Sequence, residues 1–305
     1  MKVFHTIKEV VQWRTQEIDR RGKTIGFVPT MGCLHNGHAT LIRQSVQEND
    51  FTAVSIFVNP SQFAPDEDLD QYPRTLPEDT KLLESLNVDI LFAPNAKEMY
   101  PQGIPLDVSS QRGPFVNVLG VSEMLEGKTR PNFFRGVTTV VTKLFNIIMP
   151  DNSYFGQKDI QQFIVLNVMV NELFINTKLT MVPIVRADSG LALSSRNKYL
   201  SPKYLDISAN IYKGLSDAQK SIEYSRVEAQ QSIDRETLLK KIETVWEPYI
   251  ITGDFRIDYI SIADFNTLNE LDEVNPTDKI VISCAVNVFD RNTNNTVRLI
   301  DNIVM

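Results

Sequence analysis

The stretch TIGFVPTMGCLHNGHATLI, residues 24–42, decides how the chain is read. TIGFVP (24–29) is an apolar run closed by proline, the pattern of a buried strand. A turn containing Gly32 and Gly37 follows, and a helix is expected from about His38, with Ala39, Leu41, Ile42 and Val46 on its inner face. Strand, glycine turn and helix in that order open a βαβ unit and so imply a parallel sheet. In such a sheet the turn lies at the carboxyl edge, where ligands bind, and the unpaired N–H groups of the helix start attract anions. Two of the chain's three histidines, His35 and His38, fall in this turn, where imidazole N–H groups can be directed at phosphate. Zinc fails on ligand number: a protein site takes three or four ligands, and no nearby Cys or Glu completes a known pattern.

The same texture continues outward. FTAVSIFV (51–58), DILFAP (89–94), SYF (153–155) and KLTMVPIV (178–185) read as strands. They alternate with helical patterns near 76–86, over Val137, Val140, Val141, Leu144, Phe145 and Ile148 up to Pro150, and over 160–173. After about residue 187 the pattern changes: 203–247 is polar and helical, and then RIDYISIAD, KIVISCAVNVF and TVRLID alternate as antiparallel strands around the loop DRNTNNT (290–296). The expected fold is α/β, a Rossmann-like parallel-sheet domain over 1–187 and a smaller α+β lid domain over 188–305.

Length and charge narrow the function. A chain of 305 residues with 42% apolar and 23% charged residues is ordinary globular material for about two domains. Its net charge of −7 argues against a broad basic face for nucleic acid, while leaving room for a small anion held by a few placed cations. Two cysteines, Cys33 and Cys284, make no disulfide framework and fit a reducing compartment. Lys8 and Glu9 interrupt any signal-peptide core, and VTTVVTKLFNIIM (137–149) is too short to span a bilayer, so a cytoplasmic protein without membrane contact is expected.

Three further clusters fall at expected strand ends. NPSQF (59–63) places Asn59 and Gln62 as neutral amides suited to a small polar substrate. YFGQKDIQQF (154–163) brings Gly156, Lys158 and Asp159 to a helix start, with Lys158 able to neutralise phosphate and Asp159 to cap the helix or sit near a magnesium ion. One of Gln161 and Gln162 can face the pocket while the other faces away. RADSGLALSSRNKYLSP (186–202) supplies Ser194, Ser195 and Arg196 as compact phosphate donors in a glycine-containing loop. Taken singly each has a plainer reading: a turn, a solvated lysine, a helix cap.

In order along nearly the whole chain, PTMGCLHNGH, VSIFVNPSQF with YPRT (72–75), LEGKTRP (125–131), FRGVTTVVTKLFNI, YFGQKDIQQ, RADSGLALSSRN and TVRLIDN make the chain resemble the pantothenate synthetase (pantoate–β-alanine ligase) family of the HxGH nucleotidyltransferase superfamily. The resemblance implies ATP and Mg2+, with pantoate activated as an adenylate before β-alanine captures it. It implies ATP contacts at Met31, Gly32, His35, Gly37, His38, Gly156, Gln157, Lys158, Asp159, Val185, Leu193, Ser194, Ser195 and Arg196, with His38 in the proton-donor position, His35, Lys158 and Arg196 also catalytic, and Asp159 the candidate magnesium ligand. Gln62 and Gln162 match the pantoate-gripping glutamines, with Asn59, Tyr72 and Arg130 at the pocket's second rank. A homodimer through the N-terminal domain, involving FTAVSIFV, is also implied. The chain departs from the family pattern at Phe133, where a histidine is usual, at Leu193 for Met and at Gln157 for Glu. The alternatives are another HxGH transferase acting on a phosphorylated acceptor, and a nucleotide-binding module without catalysis.

Overall fold

Runs of apolar residues separated by helical segments can satisfy their backbone groups only by pairing side by side, and here they do so in parallel. In the computed structural model, which describes residues 1–65, 67, 69–229 and 231–305, six strands form one sheet. They are β1 (Lys2–Phe4), β2 (Ile25–Thr30), β3 (Phe51–Ile56), β4 (Ile90–Phe92), β5 (Asn152–Gly156) and β6 (Lys178–Val182), in the order β1-β4-β3-β2-β5-β6. The connections carry α1 (Ile7–Gln12), α2 (Asn36–Glu48), α3 (Leu76–Ser85), α4 (Ala96–Met99), α5 (Leu125–Thr129), α6 (Phe133–Ile148) and α7 (Ile160–Glu172). From β2 the chain steps through β3 to β4, then returns to β5 on the other side of β2. That reversal between β2 and β5 is the switch point where a doubly wound sheet takes its ligand.

Both faces of the sheet are covered, which is why its strands read as near-continuous apolar runs. On one face Phe27, Ala53, Ile90 and Phe92 pack with Val137, Val141 and Phe145 of α6 and Leu166 of α7. On the other Val28, Val54, Leu91 and Tyr154 pack with Ile42 of α2 and Leu83 of α3. β3 is therefore an interior strand with four of its six residues buried, and FTAVSIFV is core, not the subunit-facing surface expected for it. The helix over 137–148 begins four residues earlier than its apolar pattern, at Phe133, and ends at Met149, whose φ of 51° turns the chain into Pro150.

The chain separates into two compact units, Met1–Gln157 with Gln161–Pro183, and Lys158–Ile160 with Ile184–Met305. The second contains α8 (Pro202–Tyr224), β7 (Ile233–Asp234), α9 (Arg235–Ile251), β8 (Phe255–Asp264), β9 (Glu273–Val274), β10 (Ile280–Asp290) and β11 (Asn295–Val304). β8, β10 and β11 form an antiparallel sheet in the order β11-β10-β8, and β7 pairs with β9. The polar stretch 203–250, within which Gln230 lies outside the described residues, becomes α8 and α9. The two helices approach closely: Trp246 of α9 is fully buried, donates its indole N–H to the Asn210 carbonyl at 2.8 Å, and lies where a Cβ on Gly214 would meet it at 2.4 Å. Among the described residues no helix is long and apolar enough to cross a membrane.

Tyr154 on β5 is fully buried, donating to Glu48 at 2.8 Å and accepting from the Asn49 amide at 2.7 Å at the end of α2. Burial and the Glu48 carboxylate push its phenol up to about 12, from 10.0. A raised phenol keeps folding unaffected below the unfolded value and costs stability as pH climbs from there to the folded value. Urea unfolding across that alkaline window should show the wild type losing on the order of 2 kcal/mol relative to Tyr154→Phe. Parallel curves for the two proteins would contradict this.

Candidate active site

The turn after β2 is built from backbone groups that have no strand or helix partner. Gly32 (φ 83°) and Cys33 (φ 53°) both take left-handed conformations, which reverse the chain within two residues. The freed N–H groups of Cys33 and Leu34 donate to the two oxygens of Asp79 on α3, at 2.9 and 2.8 Å, and Thr75 donates to the same carboxylate at 3.1 Å. Asp79 is 3% exposed, so the turn is fixed from below by a buried carboxylate. Nothing around residue 79 in sequence identifies this role; a charged residue on the otherwise buried face of a short helix is the signal that could have found it.

α2 starts at Asn36, two residues before the expected His38, because His35 itself is the cap. His35 Nδ1 accepts from Gly37 N–H at 3.1 Å, and His38 Nδ1 accepts from His35 N–H at 3.3 Å. His35 and His38 thus cap the start of the helix, and this has a chemical consequence. With Nδ1 of each ring accepting, the proton of a neutral imidazole resides on Nε2. Both rings therefore carry an oriented Nε2–H at the carboxyl edge of β2, beside the switch point, with their centroids 4.2 Å apart. Met31 precedes the turn, half-buried, and Gly37 lies in the first turn of α2.

At the end of β3, Asn59 caps a 3-10 turn over Pro60–Gln62. Asn59 was expected to face substrate, but it is 1% exposed and its amide is fully used: Oδ1 accepts from Ser61 N–H at 3.3 Å, Ser61 Oγ at 3.0 Å and Tyr100 OH at 2.9 Å. Its Nδ2 donates to the Gly136 carbonyl at 3.2 Å and to Gln62 Oε1 at 3.1 Å. Asn59 therefore orients Gln62, leaving the Gln62 NH2 as the donor end of that side chain. Burial pushes the Tyr100 phenol above its usual value, which keeps it a donor to this network. α6 closes on the turn so tightly that a Cβ on Gly136 would lie 2.2 Å from the Ser61 carbonyl oxygen.

Arg130 is also internal. It forms a two-pronged pair with Glu67 (2.7 and 2.6 Å), donates to the Gln62 carbonyl at 3.1 Å and lies 4.0 Å from the centre of the Phe133 ring. Phe133, at the position where the family pattern has histidine, thus serves as the platform for this guanidinium. Tyr72 is buried edge-on against Phe63 at 5.8 Å. Of the two glutamines on α7, Gln161 is the inward structural one: it donates to the carbonyls of Val121 (2.9 Å) and Met124 (2.7 Å) and accepts from Glu126 N–H (3.0 Å). Gln162 is half-buried. Gly156 ends β5 and Gln157 follows it, across the switch point from the histidine turn.

In the second unit, Lys158 lies 3.6 Å from Asp159 across their charged groups. Val185 and Leu193 are paired through the Leu193 N–H to Val185 carbonyl bond of 2.9 Å, at the base of the loop that carries Ser194, Ser195 and Arg196. Ser194 Oγ accepts from Arg196 N–H at 3.3 Å and caps the 3-10 turn Ser195–Tyr199. Asp159 is the only carboxylate at residues 156–159, and no group of three His, Cys, Asp or Glu residues able to hold a metal occurs among the described residues.

The comparisons with known proteins agree with this architecture along the full chain. The profile of the family described as pantoate-beta-alanine ligase matches residues 2–304. The chain is 66% identical to the pantoate–beta-alanine ligase of Saccharomyces cerevisiae over the whole of both proteins, and 42% identical to the pantothenate synthetase of Acetivibrio thermocellus over all of this chain and 99% of that one. The crystal structure of pantothenate synthetase from Thermus thermophilus superposes with a TM-score of 0.85 at 36% identity, covering 99% of each chain. That of the Francisella tularensis ligase, described as complexed with beta-gamma ATP and beta-alanine, gives 0.74 at 36% identity over 100% of this chain and 97% of its own. With the family profile matched over residues 2–304 and relatives matched over the whole chain, the chain belongs to the pantoate–β-alanine ligase family.

Proposed function

We propose that the residues described above carry out the ligation of pantoate to β-alanine through a pantoyl adenylate, with ATP as co-substrate. The chain is a ligase by family; what is proposed is the division of labour. In the first step a pantoate carboxylate oxygen attacks the α-phosphorus of ATP and pyrophosphate leaves. In the second the amine of β-alanine attacks the acyl carbon, the amine loses a proton, and AMP departs as pantothenate forms. Neither step needs a protein nucleophile, so the site's tasks are alignment and charge stabilisation. The observation that carries the assignment is that both Nδ1 atoms of the HxGH pair accept from backbone N–H groups at the carboxyl edge of β2, which makes Nε2 the N–H donor of each ring.

His35 and His38 donate to phosphate oxygens, His38 also supplying the proton to the departing group. Met31, Gly32 and Gly37 let the nucleotide approach the turn backbone, with Gly156, Gln157, Lys158, Asp159, Val185 and Leu193 to Arg196 as its other contacts. Lys158 and Arg196 oppose the triphosphate's charge. Gln62 and Gln162 hold pantoate by neutral amides, and Gln62 lies where β-alanine enters. Asn59 and Arg130 act by setting Gln62, and Tyr72 by packing on the neighbouring Phe63. A single carboxylate fits magnesium that arrives with the nucleotide, because that ion keeps waters and phosphate oxygens as most of its ligands. Asp159 would contact it, and bound magnesium would neutralise phosphate charge.

Two further assignments rest on less. A cytoplasmic location is supported by the low cysteine content, Cys33 and Cys284 alone, both of them buried. A homodimer through the first unit is supported by apolar side chains left exposed there, Phe174 (90%) and Leu173 (52%) after α7 and Met149 (49%) after α6.

Pantoate-dependent exchange of labelled pyrophosphate into ATP should be observed, together with pantothenate and AMP in the full assay. Exchange driven instead by a phosphorylated acceptor, or nucleotide binding with no product, would replace the reading with one of its two alternatives. His38→Ala should retain its far-UV circular dichroism and slow adenylate formation on the order of a hundredfold, about 3 kcal/mol of transition-state stabilisation. Near-wild-type exchange would take His38 out of the mechanism. Gly136→Ala should push the Pro60–Gln62 turn away from α6, lowering stability by about 1–3 kcal/mol and raising the KM for pantoate more than that for ATP. Equal effects on both KM values would contradict the placement of Gln62 on pantoate.

A further inference from the structure

The segment TVRLIDN, 296–302, belongs to β11 and has no part in the assignments above. Along β11 the buried residues alternate, Val297, Leu299, Asp301 and Ile303, and the first, second and fourth pack in the core formed with α8 and α9. Asn302 breaks the alternation. It points to the opposite face of the strand, which pleating directs away from that core, yet it is 1% exposed. Its side chain reaches the Lys158 segment: Asn302 Nδ2 donates to the Lys158 carbonyl at 3.0 Å.

The neighbouring residue anchors this contact. Asp301, 4% exposed, accepts from both terminal nitrogens of Arg186 at 2.7 and 2.9 Å and from the Asn302 N–H at 2.8 Å. The same guanidinium donates to the Gly190 carbonyl at 3.1 Å and stacks 3.6 Å from the centre of the Tyr212 ring on α8. A bidentate, stacked arginine with a buried carboxylate is a rigid fitting that lysine or a single bond would not supply. One dipeptide on a β-strand therefore fixes backbone at two places, the carbonyl of Lys158 and the loop that leads to Ser194–Arg196.

We propose that Asn302 is a positioning residue for the adenylation step, acting through the Lys158 backbone and held in place by the Asp301–Arg186 pair. The inference deepens the proposed function and rests on Lys158 opposing the triphosphate. A lysine side chain reaches its target through several rotatable bonds, and its useful orientation depends on where the main chain holds its Cα. Asn302 supplies that restraint without touching substrate.

The test is a double-mutant cycle on the full-length enzyme using Asn302→Ala, Lys158→Ala and both together, read by pantoate-dependent pyrophosphate exchange and by β-alanine capture of separately prepared pantoyl adenylate. Asn302→Ala alone should lower the exchange rate roughly tenfold or more while changing capture less than about twofold, since a small misplacement of a catalytic group is felt in the step it serves. In the Lys158→Ala background the same substitution should change exchange less than about twofold, because the group it positions is gone. Asn302→Leu, which keeps the branching and the number of side-chain heavy atoms and lacks the donor, should behave as Asn302→Ala does and guards against a cavity as the cause. Exchange within about twofold of wild type in Asn302→Ala, or the same fractional loss in both backgrounds, would overturn the inference while leaving Lys158 in its role. Full exchange in Lys158→Ala would overturn both.

Discussion

The N–H groups of the turn after β2, buried at Cys33 and partly buried at Leu34, His35 and Gly37, are the constraint on which the rest depends. A backbone amide removed from water and left unpaired costs roughly 1–3 kcal/mol, and this turn reverses too sharply for strand or helix partners to reach its groups. Asp79 satisfies Cys33 and Leu34 from below, and the two imidazoles satisfy Gly37 and His35 from the side. Stability and chemistry are thereby joined in one arrangement: the hydrogen bonds that close the turn also fix the tautomer and aim of the rings.

A similar economy governs the substrate-side amides. Asn59 is saturated by Ser61, Tyr100, Gly136 and Gln62, so its contribution is the direction in which it leaves Gln62 pointing. Arg130, paired with Glu67 and resting on Phe133, restrains the same residue through its main-chain carbonyl. Phe133 then has a physical account, since an aromatic face beneath a guanidinium contributes attraction that persists when the pair is partly desolvated. Gln62 is held at both its carbonyl and its side chain, the kind of pre-organisation that fixes where its remaining amide group points.

The second unit repeats the pattern in a different material. Its antiparallel sheet and the closely crossed α8 and α9 give a stiff base, and from that base Arg186, Asp301 and Asn302 reach the main chain around Lys158 and Gly190. Buried charge is tolerated there because it is paired in full: both carboxylate oxygens of Asp301 meet guanidinium nitrogens.

Much of this was legible in the residues alone. The strand–turn–helix order around 24–42, the two-sided burial of the parallel strands and the placing of His35, His38, Gln62 and Lys158 beside strand ends follow from local periodicity and turn chemistry, which act over a few residues. The three-residue strand β1 was not legible, because it is defined by pairing with β4 some ninety residues away and has no period of its own. The same holds for what each polar side chain does: Asn59 read as suited to a substrate and Arg130 as second rank in a pocket, and both are held by internal partners; the residues left open which of Gln161 and Gln162 turns inward and gave no reading of Asp79, yet Gln161 and Asp79 fix loops. Sequence determined which chemical groups are present and at which edge of the sheet they stand. Only the tertiary structure decided which of them are consumed by one another, because a buried donor takes whatever acceptor the fold brings within about 3 Å, however far away in the chain that acceptor was.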